Sequence, residues 1–511
     1  MSNKLYKKVD VSEKIRLDEY IVRVYLLLLL TFFPLVFWDF YFNIADVKFI
    51  VFVSLTLIAL AFCLIYSIWS RSINIRKVNK AWIWIALWVF SAALSTIFSK
   101  HKTIALMGND GRSFGFITVC CLAVMMVLIS NCTIDYRFFI NVFLCAGVIV
   151  SVLAVFNFLG IDFIGFYNGV DKGLREMFQT TFGHVDICSN YFAISVPVAY
   201  FMYMYEENTK RKIFYMFALW CTFMGSFAGG CDSGYIILAV VTVLTLIFMD
   251  SYKRLFYSAV AALILTITAK IMMILNGMFE DAKHMDSIAI MITGNKVIIF
   301  LVLFMIIMCA VSLVRCDKCS EKEFRIVKIG LITILLVIMV AVVALFIYFS
   351  FIDKDKDIGS LANILRFDDE WGSRRGYIWK RGMQCYADSS LKDKIIGVGP
   401  DTLQQSLKKV YGEEMLARFS AYYDNMHNEY MQYLVTTGVL GLVSYMGMVI
   451  CEIKTAIKSI SGNIYMRALF AGMVCYLVQA MVNVNQIITT PYLFIVMAMI
   501  YASSVIQVAK Q

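Results

Sequence analysis

About fourteen runs of predominantly apolar residues, each near the ~20 residues that carry a helix across a bilayer, leave this chain few ways to fold. They begin near Tyr20, Lys48, Ala81, Phe114, Phe138, Ile187, Ile213, Gly234, Leu255, Lys296, Val327, Gln432, Arg467 and Pro491. Composition agrees: 61% of the 511 residues are hydrophobic and 16% charged, against roughly 45–50% and ~25% in soluble domains. A soluble enzyme is thereby excluded. Four prolines and 28 glycines leave no room for a Pro/Gly-rich linker or a collagenous stretch. The expected fold is an all-α integral membrane protein of about 14 transmembrane helices. It divides into a bundle over 1–350, a large outer loop over 351–428 and about three further helices over 429–511.

The net charge of +10 belongs to topology rather than to nucleic acid, because the basic residues fall in short clusters between apolar runs. Lys4, Lys7, Lys8, Lys14 and Arg16 precede the first run. Arg71, Arg76, Lys77 and Lys80 follow the second, and Lys210, Arg211 and Lys212 follow the sixth. Lys253 and Arg254, then Arg315, Lys318, Lys322, Arg325 and Lys328, then Lys454 and Lys458 continue the alternation. Both termini are expected in the cytoplasm, in a multi-pass protein of the plasma (inner) membrane. The first run, without a small-x-small cleavage site, is expected to stay as a signal anchor. Most of the fourteen cysteines, such as Cys63, Cys120, Cys121, Cys145 and Cys309, sit inside apolar runs as packing residues. The pair Cys316 and Cys319 lacks the second pair a metal site needs.

This orientation puts the longest polar stretch, Ile352 to Glu429, on the outer face. Trp371, Trp379, Tyr377, Tyr411, Phe419, Tyr422 and Tyr423 supply it with apolar anchors. Helical spacing over Tyr377–Ala387 and Thr402–Tyr411 predicts two amphipathic helices over the membrane mouth, separated by the turn Gly397-Val398-Gly399-Pro400.

Chemistry-bearing residues are scarce. There are four histidines: His101, His184, His284 and His427. His427 stands apart because polar groups crowd around it in Asp424-Asn425-Met426-His427-Asn428-Glu429-Tyr430 at the start of a run. Arginines in short outer loops also ask for a reason. Arg112 sits in Gly108–Gly115, Arg175 precedes Thr181-Phe182-Gly183-His184, and Arg374 and Arg375 open the large loop's first helix. A guanidinium fork matches phosphate oxygens bidentately and stays charged, although anchoring to lipid headgroups asks for arginines in the same places. Neither a phosphate-binding GxxxxGK[ST] loop nor a strand-flanked GxGxxG is present. Asp353, Asp355 and Asp357 lack the glycine and distal glutamate of a calcium loop. An outer-face enzyme without nucleotide needs an already activated substrate, and a lipid-linked diphosphate sugar fits.

Arg375-Gly376-Tyr377-Ile378-Trp379 resembles the R-x-x-I-W segment of the O-antigen ligase and polymerase superfamily. Ile396-Gly397-Val398-Gly399-Pro400 resembles its G-x-G-P turn. His427-Asn428-Glu429-Tyr430-Met431-Gln432 with Thr437-Gly438-Val439-Leu440-Gly441 is similar to H-N-x-Y-L-Q followed by T-G-x-x-G. Upstream, Leu106 to Thr118 resembles L-x-G-x-x-x-R-x-x-G-x-x-T, with Arg112 at the arginine. Two segments depart from the family pattern: Thr181-Phe182-Gly183-His184-Val185-Asp186 replaces T-F-G-N-x-N, and Cys231-Asp232-Ser233-Gly234 stands where Ser-Arg is usual. A role particular to this subgroup is thus expected of His184 or Asp186.

The resemblance implies a metal-independent, inverting transfer of glycan from an undecaprenyl diphosphate carrier to an acceptor hydroxyl of a glycan, lipid or protein. It implies no cofactor and no nucleic-acid partner, and membrane lipids as surroundings. His427 is then the catalytic base. Arg375, Arg112 and Arg374, with Asn428, Glu429 and His184, bind substrate, and Asp424 or Glu429 orients His427. Ligase and polymerase share the donor and stay undivided by these motifs. A lipid-linked oligosaccharide flippase is the alternative from another class. It requires charges within spans, and the sequence offers one, Lys270.

Overall fold

The computed structural model describes residues 16–72, 80–316 and 320–508. Lys4, Lys7, Lys8, Lys14, Arg76, Lys77, Lys318 and Cys319 lie outside the described residues. Among the described residues the fold is all-α apart from one short hairpin, Phe178–Gln179 paired with Gly183–His184. Each apolar run lies in a helix. Eight of these helices are long and apolar enough to cross a membrane, and four more are apolar but shorter, among the described residues. The two others, Leu17–Leu35 and Thr209–Ala228, begin with charged residues. The expectation of about 14 spans therefore rests firmly on eight.

Lipid offers no hydrogen-bond partners, so helix ends must find their own. Asp135, Asn208 and Asn463 cap Tyr136–Phe158, Thr209–Ala228 and Ile464–Gln479. Ser320 and Glu323 form a reciprocal capping box at the start of Glu321–Ile347. Lys48, an ammonium inside an apolar run, is fully buried and donates to the carbonyls of Phe33, Pro34 and Val36 at 2.8, 3.2 and 3.1 Å. It thus closes the C-terminal end of Leu17–Leu35.

The core centres on Val185–Tyr205, buried along nearly its whole length. Ile464–Gln479, Thr209–Ala228 and Asp232–Phe248 pack around it. At the opposite extreme, Glu321–Ile347 turns Ile334, Val337 and Val340 outward, as a helix facing lipid would.

The polar stretch after Ile352 folds on a core of its own, built from Tyr377, Ile378, Leu403, Leu407, Met415, Met426 and Val435. The two helices expected there lie within Trp371–Ala387 and Leu403–Phe419, and a third, Leu391–Ile396, precedes the glycine turn. That turn interlocks with a kink in Glu429–Ser459. Gly397 adopts φ +80° with its Cα against the Thr436 carbonyl, and Gly438 adopts φ +70° against the Ile395 carbonyl. A Cβ at either position would lie within 2.2 Å of that backbone oxygen. The Gly399 amide then donates to Thr436 O at 3.0 Å. The G-x-G-P and T-G-x-x-G segments are thus two halves of one joint between loop and bundle. Gly438→Ala is expected to lower stability by roughly 1–3 kcal/mol from backbone strain alone, read as a lower melting temperature in detergent.

Candidate active site

Arg375 and His427 belong to separate segments, and the fold brings them into one cluster. Gly372, Ser373 and Arg374 take left-handed backbone (φ +58°, +58° and +74°), so the chain reverses just before Arg375 enters the regular part of Trp371–Ala387. This reversal sends the two adjacent arginines in different directions. The Arg374 side chain stays half exposed, pairs with Glu370 at 3.6 Å and lies over the Phe419 ring. Arg375 turns inward and is 8% exposed. Its Nε donates to Val482 O at 2.9 Å, its Nη1 to Gly372 O at 2.8 Å, and its Nη2 faces Asp186 Oδ2 at 3.5 Å. A guanidinium has five N–H donors. These three contacts leave two, one on Nη1 and one on Nη2.

His427 sits at φ +44°, a strained conformation for a side chain with a Cβ. Its neighbours brace it from both sides. Trp379, one turn after Arg375, donates Nε1–H to Met426 O at 2.8 Å. Gln432 Oε1 accepts from Met426 N at 3.0 Å, and Asn425 Oδ1 accepts from His427 N at 2.7 Å. The spacing of R-x-x-I-W then has a physical reason: Arg375 enters the site, Ile378 fills the loop core and Trp379 holds the backbone just before His427. The ring Nδ1 is buried without a hydrogen-bond partner. Burial first, and the Arg375 cation second, push His427 down to about 4 against the pull of Asp186 and Asp424. The imidazole is therefore neutral at ordinary pH, as a base must be.

The remaining sequence candidates fall into different places. Asn428 caps Glu429–Ser459, its Oδ1 accepting from Met431 N at 3.0 Å. Glu429 points into the bundle and accepts from Tyr476 Oη at 2.8 Å. The Asp424 carboxylate is engaged by Asn425 and Arg112, so neither carboxylate hydrogen-bonds the His427 ring. Arg112 is 4% exposed and committed to Asp401 (2.8 Å from Nε, 2.7 Å from Nη2) and Asp424 (2.5 Å), with Nη2 also donating to Asp424 O. It ties the Gly108–Gly115 loop to the glycine turn and to the segment leading into His427. Its part is to hold the site together, because Nε, Nη1 and Nη2 all face these aspartates. His184 caps Val185–Tyr205, its Nδ1 accepting from Asp186 N at 3.2 Å. His101 and His284 are exposed.

Breaking a buried pair by removing one partner costs about 3–5 kcal/mol. Asp401→Asn is therefore expected to destabilise the protein by that order, whereas Arg374→Ala should leave the melting temperature nearly unchanged. Thermal unfolding of purified protein checks both.

Asp186, expected from the sequence only as an alternative to His184, joins the site, as do Trp379, Gln432 and Asp401, which the sequence did not mark. Gln432 lies inside a quoted motif, and Asp186 ends a departing one. For Asp401, one residue beyond the glycine turn, no local signal exists, because its partner Arg112 is 289 positions away.

Residues 285–446 match the family model described as O-antigen ligase. Over that segment, about a third of the chain, the protein is similar to the O-antigen ligase family. The matched residues include Arg375, Trp379, the glycine turn, His427 and Gly438, so the joint and His427 lie inside the matched segment, while Arg112, His184 and Asp186 lie outside it. No curated protein matches the chain.

Proposed function

We propose that this protein transfers a saccharide from a polyprenyl (undecaprenyl) diphosphate carrier to an acceptor hydroxyl at the outer face of the plasma membrane. The observation that carries the reading is the pairing of a braced, buried imidazole with a buried guanidinium close enough to act on it, whose three contacts leave a donor on each of Nη1 and Nη2. The acceptor oxygen forms a bond to the anomeric carbon as the bond from that carbon to phosphate breaks. His427 takes the acceptor's proton, and the diphosphate leaves with the bonding electrons onto Arg375. One displacement with base and leaving group on opposite sides inverts the anomeric centre, and the leaving charge is met by the guanidinium rather than by a metal ion.

An apolar groove of about 500 Å³ supports a lipid-borne donor. It runs between Asp232–Phe248, Tyr252–Asn276, Asn295–Arg315 and Glu321–Ile347. Tyr235 lines its outer end and donates to Asp286 at 2.9 Å, one turn from Asp232. An isoprenoid tail fits such walls. The flippase alternative gains no support: Lys270, its mid-span charge, is tied to Thr293 O and Asn295 Oδ1 at 3.0 and 2.8 Å.

In this reading the six helices beyond the eight also span or enter the membrane, 352–429 faces outward, and both termini face the cytoplasm. Impermeant thiol labelling, in a background without accessible native cysteines, is expected to modify Ser389→Cys and to miss Ser2→Cys. The reverse pattern overturns the orientation and the mechanism together. Purified protein in proteoliposomes with a lipid-linked repeat then separates polymerase from ligase: lengthened glycan marks the first, glycan joined to a non-saccharide anchor the second.

A further inference from the structure

The hairpin that carries His184 has a second face. Phe178 pairs with His184 and Gln179 with Gly183, and Gln179 lines a separate cavity of about 410 Å³ on the outer side. That volume lies within the range of small-molecule sites. Gln179 is 2% exposed, its Nε2 donates to Gly225 O at 3.3 Å, and its Oε1 has no partner. A buried acceptor without a partner is costly, and a ligand hydroxyl would satisfy it.

The other walls specify what kind of ligand. Arg175, Lys283, Asp162, Glu176 and Tyr167 line it, with the Arg175 guanidinium 5.8 Å from the centre of the Tyr167 ring. Asp162 accepts from the amides of Gly165, Phe166 and Tyr167 at 3.0, 2.9 and 2.7 Å, so the loop forming this wall is built rather than loose. Charges of both signs line it, which suits neither a phosphate nor a cation, and the polar walls suit no lipid tail. A saccharide presents a ring of hydroxyls that each donate and accept. Lys283 also links the two sites: its Nζ donates to Gly229 O, and its charge feels Glu176 inside the cavity and Asp186 beside Arg375.

We propose that this cavity is a saccharide-binding subsite that holds sugar residues adjacent to those reacting at His427, with Gln179 as its buried acceptor. The proposal rests on the glycan-transfer reading. Its test uses full-length protein in nanodiscs and two probes: the carrier-free repeat oligosaccharide freed by mild acid from the host's lipid-linked pool, and farnesyl diphosphate.

Gln179→Leu is expected to weaken oligosaccharide binding at least tenfold by saturation-transfer NMR, while farnesyl diphosphate binds as in wild type. Glu176→Gln, at the exposed rim, should weaken it too, and decides the matter if Gln179→Leu fails to fold. Unchanged oligosaccharide binding in a folded variant overturns the subsite. If wild type binds the oligosaccharide but not farnesyl diphosphate, the transfer reading falls and the subsite stands. In transfer assays, a raised KM for the acceptor glycan identifies acceptor sugars as the occupant, and a raised KM for the lipid-linked donor identifies donor sugars. A fall in kcat with both KM values unchanged overturns the proposal.

Discussion

His427→Ala is expected to reduce glycan transfer by roughly 10²–10⁴-fold, the worth of a positioned base, with membrane insertion and abundance unchanged. The main-chain bonds from Trp379, Gln432 and Asn425 that hold this segment do not involve the imidazole, so the variant keeps its fold. The pH dependence supplies an independent readout. In the free enzyme burial and Arg375 hold His427 at about 4, so kcat/KM should stay level on acidification until the imidazole protonates near that value. A bound diphosphate adds negative charge beside the ring and neutralises Arg375. Both effects favour the imidazolium, so the inflection in kcat should lie at higher pH than that in kcat/KM. The stability effect has the same sign. Between the ordinary histidine value and about 4 the unfolded chain binds the proton and the folded chain does not, so stability falls as pH drops through this window. Near-normal transfer by well-folded His427→Ala protein would remove the base assignment.

Much of this arrangement was legible in the residues, for reasons that differ from element to element. Apolar runs report helices because any segment in lipid must close its own backbone bonds, and every run proved helical. Span number was less legible, since Leu17–Leu35 and Thr209–Ala228 mix charges into their first turns. In the large loop, periodicity marked two helices but missed Leu391–Ile396, which is too short to show a period. Sequence adjacency misled at Arg374, because three left-handed residues turn it away from Arg375. Arg112 was singled out as an outer-loop arginine with a job, yet the job depends on Asp401 and Asp424, far along the chain. Likewise the unpartnered Gln179 is an ordinary glutamine until the hairpin buries it.

Arg375 offers the sharpest test of what the cluster binds, because phosphate recognition asks for a planar fork and interfacial anchoring asks only for positive charge. Arg375→Lys keeps the charge. A single ammonium cannot reach Val482 O, Gly372 O and Asp186 together and still present two parallel donors, so transfer should fall by roughly 10²–10³-fold, as when a donor to a developing anion is lost. Arg381 is the matched control on the same helix. It pairs with Glu414 at 2.9 Å and lies over Tyr377 and Tyr411 at the loop's surface. Arg381→Lys preserves the ion pair and should leave transfer near wild type, with a stability change below about 1 kcal/mol. Farnesyl diphosphate binding separates the causes of any loss: weakened binding in folded Arg375→Lys places the fork on the diphosphate, and intact binding with lost transfer places its effect in the transition state. Equal transfer by the two lysine variants would make Arg375 an ordinary buried cation, and with Arg112 committed to its aspartates the cluster would then have no guanidinium left for the donor's diphosphate.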